Sequence, residues 1–269
     1  TTLEIIEGLQ LPSSGNINIV GLDPVKDRLM VKEKIGVQLQ SSSFFDYLSL
    51  SELINLFRSY YKLKSKVTTN DLLKMVGLEN KKNVRVSQLS GGQKQRFSII
   101  AALVNDPKIV FLDEPTTGLD PQSRRNLWEI ILNIRKSGKT VVMTTHYMEE
   151  AQVLCDRIAI MDQGKIIALG TPSQLINKLD YTFRIVFRGN QCLEDSKVKN
   201  ISGIVKSIHD YNEINKQHTC IFGVKKVQDV LPKLINLLQK NKLPFEDLEV
   251  IPSSLEDVFL KLTGKELRE

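Results

Sequence analysis

Apolar and polar residues follow two alternating patterns between residues 108 and 162. Short apolar runs predict buried strands, and longer segments in which apolar residues recur every three or four positions predict amphipathic helices. The predicted order is strand 109–112, helix 123–136, strand 140–144, helix 148–155 and strand 157–161. Because strands alternate with helices, this region is predicted to form a parallel sheet.

The residues before this region predict a short helix, two strands and a block of helices. The first helix is predicted to end at Gly8, and strands are predicted at 16–19 and 35–39. Residues 48–105 are predicted to be mainly helical, with helices at 51–61, 69–76 and 93–105. This block is therefore expected to be a helical subdomain inserted between strands of the sheet.

The pattern changes again after Leu179. Strands are predicted at 182–187, 203–211 and 219–224, and helices at 227–241 and 254–262, the last with a Ser-x-x-Asp capping box. The sequence thus predicts a main α/β domain over residues 1–179 and a small α+β domain over residues 180–269.

The composition is that of an ordinary globular chain, with 41% hydrophobic and 25% charged residues among 269. No apolar run approaches the roughly 18 residues that a membrane-spanning helix needs, so the chain is not expected to cross a bilayer by itself. The net charge is +6, and residues 58–96 carry ten Lys or Arg against two acids. Apart from Tyr60 and Tyr61 near its start, this basic stretch has no aromatic residues between its charges, so the pattern does not suggest base stacking and no nucleic acid partner is expected.

Two adjacent acids follow the apolar strand at 109–112. Asp113 and Glu114 are thereby placed at the carboxyl end of a buried parallel strand, where open α/β sheets bind ligands. On its own, the pattern also fits a strand that runs into an acidic helix cap. The functional interpretation is that Asp113 holds Mg²⁺ and Glu114 polarises a water molecule for attack on a γ-phosphate.

A second chemical pattern, Leu-Ser-Gly-Gly-Gln at 89–93, opens the predicted helix at 93–105. Its glycines leave backbone amides open at a helix start, where the helix dipole favours an anion, and Ser90 adds a hydroxyl. Alone, the pattern also fits a serine cap with glycines that turn the chain. Followed by Lys-Gln-Arg at 94–96 and by Leu-Asp-Glu-Pro-Thr at 112–116, it resembles the ATP-binding-cassette (ABC) ATPase family.

The resemblance implies a P-loop NTPase-like parallel sheet core, with ATP and Mg²⁺ as ligands. It assigns Glu114, His146 and Gln40 to catalysis and Asp113 and Gln40 to the metal. His146 resembles the switch histidine that contacts the γ-phosphate, and Gln40 resembles a lid glutamine that also senses the membrane partner. The residues that it assigns to ATP binding are Thr1, Thr2, Ser90, Gly91, Gly92, Gln93 and Asp120, the last in a loop expected to lie across a dimer interface.

The phosphate-cradling loop G-x-x-x-x-G-K-[ST] is missing from its expected place. The Gly-Lys-Thr at 138–140 has the wrong surroundings, because a helix precedes it and a strand follows it. By the family's usual spacing from Gly8, the loop lysine would fall before the first residue, so that Thr1 and Thr2 would be the loop's last threonines. The chain as written is therefore expected to be truncated and to bind ATP poorly.

The tail Pro-Ser-Ser-Leu-Glu-Asp-Val-Phe at 252–259 is similar to the C-terminus of ATP-binding subunits in the drug and polysaccharide export branch of the family. The resemblance implies an ATP-hydrolysing subunit that pairs with a second ABC subunit, as a homodimer or otherwise. This pair would drive a separate transmembrane permease at the cytoplasmic face of the membrane. Two alternatives stay open, a soluble ABC ATPase outside transport and a truncated, non-catalytic remnant.

Overall fold

Three parallel strands form the sheet of the first part of the chain. In the computed structural model, β1 (Ile35–Gln38), β2 (Ile109–Asp113) and β3 (Thr140–Thr144) lie in the order β1-β2-β3. Both pairings are parallel, with Gln38 opposite Leu112 and Asp113 opposite Thr144. The carboxyl ends of the three strands therefore meet at one edge of the sheet. The structure describes residues 1–40, 43–62, 67–191, 193, 198, 201–213, 216–243 and 245–264.

Two short helices cover one region of this sheet. They are α1 (Thr2–Ile6) and α2 (Arg28–Lys32). Leu3 and Ile6 of α1 pack with the buried side chains of Val31, Ile35 and Phe111. Burial of these apolar side chains holds α1 and α2 to the sheet.

The helical subdomain lies in the sequence between β1 and β2. It contains α3 (Leu50–Ser59), α4 (Thr69–Met75), two short 3-10 helices (Glu79–Lys81, Val86–Gln88) and α5 (Gly91–Ala101). Each of the three α-helices begins with a capping box, in which the side chain of the N-cap residue and the side chain three residues later each accept a hydrogen bond from the other residue's backbone N–H. Directly after α5, a Cβ at Gly36 of β1 would lie 1.8 Å from the Ala102 carbonyl oxygen. Only glycine allows the chain after α5 to lie this close to the sheet.

Helix α6 (Pro121–Lys136) connects β2 with β3. The Asp120 carboxylate accepts a hydrogen bond of 2.9 Å from the Ser123 backbone N–H, and Pro121 occupies the first turn. The helix buries one apolar stripe, formed by Leu127, Ile130, Ile131 and Ile134. This part of the chain, Thr1–Tyr147, is one compact unit.

The second compact unit, Met148–Glu269, begins with α7 (Met148–Leu154), the antiparallel hairpin of β4 (Ile158–Asp162) and β5 (Lys165–Gly170), and α8 (Pro172–Ile176). Its other elements are β6 (Phe183–Gly189), β7 (Ile204–Asn212), β8 (Gln217–Val224), α9 (Val227–Lys240), β9 (Phe245–Pro252) and α10 (Leu255–Thr263). The four strands form an antiparallel sheet in the order β7-β8-β6-β9, and α9 packs on it. Leu255 and Val258 of α10 pack with Ala151 of α7 and Leu175 of α8.

Most of the predicted elements are present, with ends that differ from the predicted ones by at most four residues. The strand predicted at 16–19 is wrong, because in the described part of the chain Ile19 forms only an isolated bridge with Leu22 and no strand pairs with the segment. The domain boundary predicted between residues 179 and 180 stays a prediction. Within the described residues, no helix is long and apolar enough to cross a membrane.

Candidate functional site

Strand β2 ends in two carboxylates that β3 holds in place. The Thr144 hydroxyl on β3 donates to Asp113 Oδ1 and accepts a hydrogen bond of 3.0 Å from the Glu114 backbone N–H. Glu114 has a φ of +45°, which is uncommon for a residue other than glycine. The Thr144 hydroxyl therefore fixes both the Asp113 carboxylate and the strained turn that directs Glu114.

Three side chains converge on Oε2 of Glu114. Gln40 Nε2 donates to it at 3.3 Å, Thr117 Oγ1 donates at 3.1 Å, and His146 Nδ1 lies at 3.3 Å. The Glu114 side chain is 28% exposed and His146 is 48% exposed, so water can reach both groups. The structure thus brings the three predicted catalytic residues together at the carboxyl edge of the parallel sheet, where Glu114 can accept a proton from water.

The first turn of α6 lies beside this cluster. Arg124 places its guanidinium 4.1 Å from the centre of the Tyr147 ring, and the rings of Tyr147 and His146 are 4.2 Å apart. Asp120 caps the same helix, and its hydrogen bonds with Ser123 lower the pKa of its carboxyl group. The helix that Asp120 begins therefore helps to hold His146 through Arg124 and Tyr147.

The four residues Ser90–Gln93 lie together at the start of α5. Ser90 Oγ accepts from the Gln93 N–H at 3.4 Å, and Gln93 Oε1 accepts from the Ser90 N–H at 3.1 Å. A Cβ at Gly91 would meet no heavy atom within 4 Å, whereas one at Gly92 would lie 3.2 Å from Ser123 Oγ. The helix start is thus open at Gly91 and packed at Gly92. No hydrogen bond among the described residues joins these four residues to the Glu114 carboxylate.

The predicted ATP contacts Thr1 and Thr2 lie at the exposed start of α1, and Thr1 makes no side-chain capping bond. At the other end of α1, Glu7 is 3% exposed, and its Oε1 has no partner among the described residues. Burial, with the negative charge of Asp113 as a second cause, raises the pKa of Glu7 to about 7. The end of α1 is therefore electrostatically linked to the Asp113 carboxylate.

The donor set fits Mg²⁺ only if ATP supplies further ligands. Among the described residues, no group of three or more His, Cys, Asp or Glu could hold a metal ion. Mg²⁺ is usually bound by one or two carboxylates together with substrate phosphates and water. The Asp113 carboxylate and the Gln40 amide oxygen are donors of this kind, and their role as metal ligands stays a prediction.

Sequence reasoning missed two hydroxyl groups of this site. Thr117 stands three residues after Glu114, a spacing that allows a side chain to reach back across a turn. Thr144 ends the strand that follows β2 in the predicted order of elements. That Thr144 lies opposite Asp113 is known only once the strands are paired. The first contact had a local signal in the sequence, and the second did not.

Solved structures with the same fold define the class of protein. One is cbiO1 from Clostridium perfringens, part of the ABC transporter complex cbiONQ, with 27% identity, a TM-score of 0.58, and coverage of 66% of this chain and 74% of that chain. Another is the dimeric structure of a post-hydrolysis state of an ATP-binding cassette bound to ADP and Pi. It has 28% identity, a TM-score of 0.55, and coverage of 63% and 78%. The fold is that of an ABC ATPase.

Relatives in sequence define the family. Residues 1–117 match the family model described as ABC transporter. The chain is 33% identical over 273 residues to the Nod factor export ATP-binding protein I of Cupriavidus pinatubonensis (strain JMP 134 / LMG 1197), an alignment that covers 100% of this chain and 80% of the relative. The chain therefore belongs to the ABC transporter family, as an ATP-binding and ATP-hydrolysing subunit of a transporter. The predicted α/β fold class and the predicted ATPase function are confirmed.

Proposed function

We propose that the full-length protein hydrolyses ATP at two sites shared between paired subunits and thereby drives a separate permease in export. The observation that carries the proposal is the convergence of Gln40, Thr117 and His146 on Oε2 of Glu114. A carboxylate held this way at the carboxyl edge of a parallel sheet is placed to act as a general base.

In this mechanism, Glu114 accepts the proton of the water that attacks the γ-phosphate. Gln40 and Thr117 hold the carboxylate, and the His146 imidazole lies where it can contact the phosphate as the water attacks. Asp113 and Gln40 would hold Mg²⁺, which when bound neutralises charge on the β- and γ-phosphates. The open amide at Gly91 and the hydroxyl of Ser90 provide a second group of phosphate contacts at a helix start.

The second group is proposed to act on the ATP of the partner subunit. Within one chain, no hydrogen bond among the described residues joins the Ser90 loop to the Glu114 carboxylate, and one nucleotide must meet both groups if both contact phosphate. A pair related by a two-fold axis gives two equivalent sites, each with the sheet edge of one subunit and the Ser90 loop of the other. The dimeric structure of the related cassette bound to ADP and Pi supports such a pair.

Mixing two inactive variants of the full-length protein tests the shared site. Glu114→Gln removes the base, and Ser90→Arg places bulk and positive charge in the partner's site. A mixed dimer has one site with both changes and one site with neither. Mixing should therefore restore ATP hydrolysis to at most about a quarter of the parental rate, since random pairing gives half mixed dimers with one intact site each. Activity that stays at background would exclude the shared site.

A cavity of about 510 Å³ beside the sheet supports the proposal that a permease binds this chain. Its wall is largely apolar and includes Leu29, Met30, Tyr60 and Leu39, which directly precedes Gln40. Leu29 is 76% exposed, as expected of a surface that another protein covers. Because Gln40 donates to Glu114, a permease segment bound here would contact the chain next to the proposed catalytic base. The relative's name, an export ATP-binding protein, supports export as the direction.

Introducing a charge at the cavity tests this part of the proposal. Leu29→Glu should strongly reduce co-purification with the permease, because binding would bury an unpaired carboxylate. Val153→Glu on α7 is a matched control, since Val153 is also an exposed apolar residue and does not line the cavity. Equal co-purification of both variants would argue against docking at the cavity.

A further inference from the structure

Gln95 connects the helix that begins at Ser90 with the turn that holds Glu114. Its side-chain Nε2 donates a hydrogen bond of 2.7 Å to the carbonyl oxygen of Pro115, the residue directly after Glu114. Because Glu114 is in an unusual backbone conformation, the position of its side chain depends on what holds the next residue.

The start of α5 also contacts the other end of the same segment. A Cβ at Gly92 would lie 3.2 Å from Ser123 Oγ, so the first turn of α5 packs closely on the first turn of α6. Helix α5 therefore contacts both ends of the segment 115–123, through a hydrogen bond at Pro115 and through close packing at Ser123. A displacement of the Ser90 loop would be transmitted to both ends.

We propose that Gln95 is a positioning residue that couples the two ATP sites of the dimer. The inference rests on the proposed function, in which the Ser90 loop of a subunit faces one ATP and its Glu114 faces the other. Gln95 lies five residues after Ser90, about 7.5 Å along a rigid helix. ATP that engages the Ser90 loop in one site thus sets the position of Glu114 in the other site through the hydrogen bond from Gln95 to Pro115.

The test is the ATP dependence of hydrolysis in the full-length dimer. Gln95→Met keeps the length of the side chain and removes the donor, and Gln95→Glu does the same with a carboxylate. The Hill coefficient should fall from near 2, the limit for two coupled sites, to near 1. Turnover at saturating ATP should fall about fivefold, the equivalent of ~1 kcal/mol or one hydrogen bond. The affinity of the separated subunit for ATP should change less than twofold.

Ser98→Ala is the matched control on the same helix. Ser98 Oγ donates to the Gln95 carbonyl oxygen at 2.7 Å, so its loss removes one hydrogen bond of α5 without touching Pro115. An equal fall of the Hill coefficient in Ser98→Ala, or an unchanged coefficient in both Gln95 variants, would overturn the coupling role. A parent protein without ATP hydrolysis would instead count against the proposed function. A cooperative parent with cooperative Gln95 variants would refute this inference alone.

Discussion

The Glu114 cluster and the Ser90 loop are built in opposite ways. Gln40 reaches Glu114 across 74 residues of sequence, because β1 and β3 lie on either side of β2. The Ser90 loop is held by two hydrogen bonds that span only three residues. The base of the proposed reaction thus depends on the pairing of the sheet, whereas the second phosphate-binding group is a local property of the chain.

This difference predicts which changes affect chemistry and which affect stability. Residues of the Glu114 cluster are partly exposed and are held by side chains from several elements, so replacing one of them should change turnover more than folding. A replacement in the Ser90 loop removes a helix cap, and it should therefore lower stability as well as function.

The largest effect is expected for Glu114→Gln in the full-length protein. The amide keeps the shape of the carboxylate but cannot accept a proton, so turnover should fall by about 10²- to 10⁴-fold, the usual contribution of a general base. ATP affinity should be retained, and so should the free energy of unfolding. Steady-state ATP hydrolysis, ATP binding and urea denaturation together measure this. Hydrolysis within about threefold of the parent would refute the assignment of the base.

The second effect concerns Glu7, whose pKa is raised by burial and by the negative charge of Asp113. Its pKa is about 7 in the folded chain and 4.5 in the unfolded chain, so the folded state keeps a proton that the unfolded state loses. Stability should therefore fall as pH rises from about 4.5 to above 7, by at most ~3 kcal/mol. Glu7→Gln should remove most of this loss.

Urea denaturation at pH 5.5 and 8.5, in buffer with a chelator, measures the slope. Glu4→Gln on the same helix is the control, because Glu4 is partly exposed and its Oε2 accepts a hydrogen bond of 3.0 Å from Gln10 Nε2. It should keep most of the loss of stability at high pH, since the charge of Glu4 raises the pKa of Glu7 less than burial and Asp113 do. An identical pH dependence in the parent and in Glu7→Gln would show that Glu7 is ionised in the folded protein.

The Ser90 loop was predictable from sequence, and so was part of the Glu114 cluster. The capping box at Ser90, the two acids after β2 and the order of strands and helices are all encoded within short windows. Gln40 and His146 were assigned by resemblance, and the structure shows that they reach Glu114. The hydroxyl of Thr144 was not identified, because its partner is set by the register between two strands.

The errors in the fold have the same origin. The alternation at 16–19 favours a strand, but a strand needs a neighbour, and this segment finds only the bridge from Ile19 to Leu22. Helix α2 was not predicted, because its five residues are too few to show a period. Strand β9 was not predicted either, and it forms by pairing with β6, which lies far from it in sequence.

The smallest effect compares two helix caps of the same subdomain. Thr68 and Ser90 are both exposed, and each caps its helix through a capping box. Thr68→Ala and Ser90→Ala should each lower the free energy of unfolding by ~1 kcal/mol, because each leaves a backbone N–H without its acceptor.

Only Ser90→Ala should also weaken the ATP-driven dimer, since only its hydroxyl is proposed to contact the ATP of the partner subunit. Sedimentation of the full-length variants with ATP, alongside urea denaturation, separates the two effects. Equal weakening of the dimer in both variants would mean that Ser90 acts through helix stability alone. A weaker dimer in Ser90→Ala at equal stability loss would show that the same local turn both begins a helix and binds phosphate. The Glu114 cluster differs in this respect, because its residues come together only when the strands of the sheet pair.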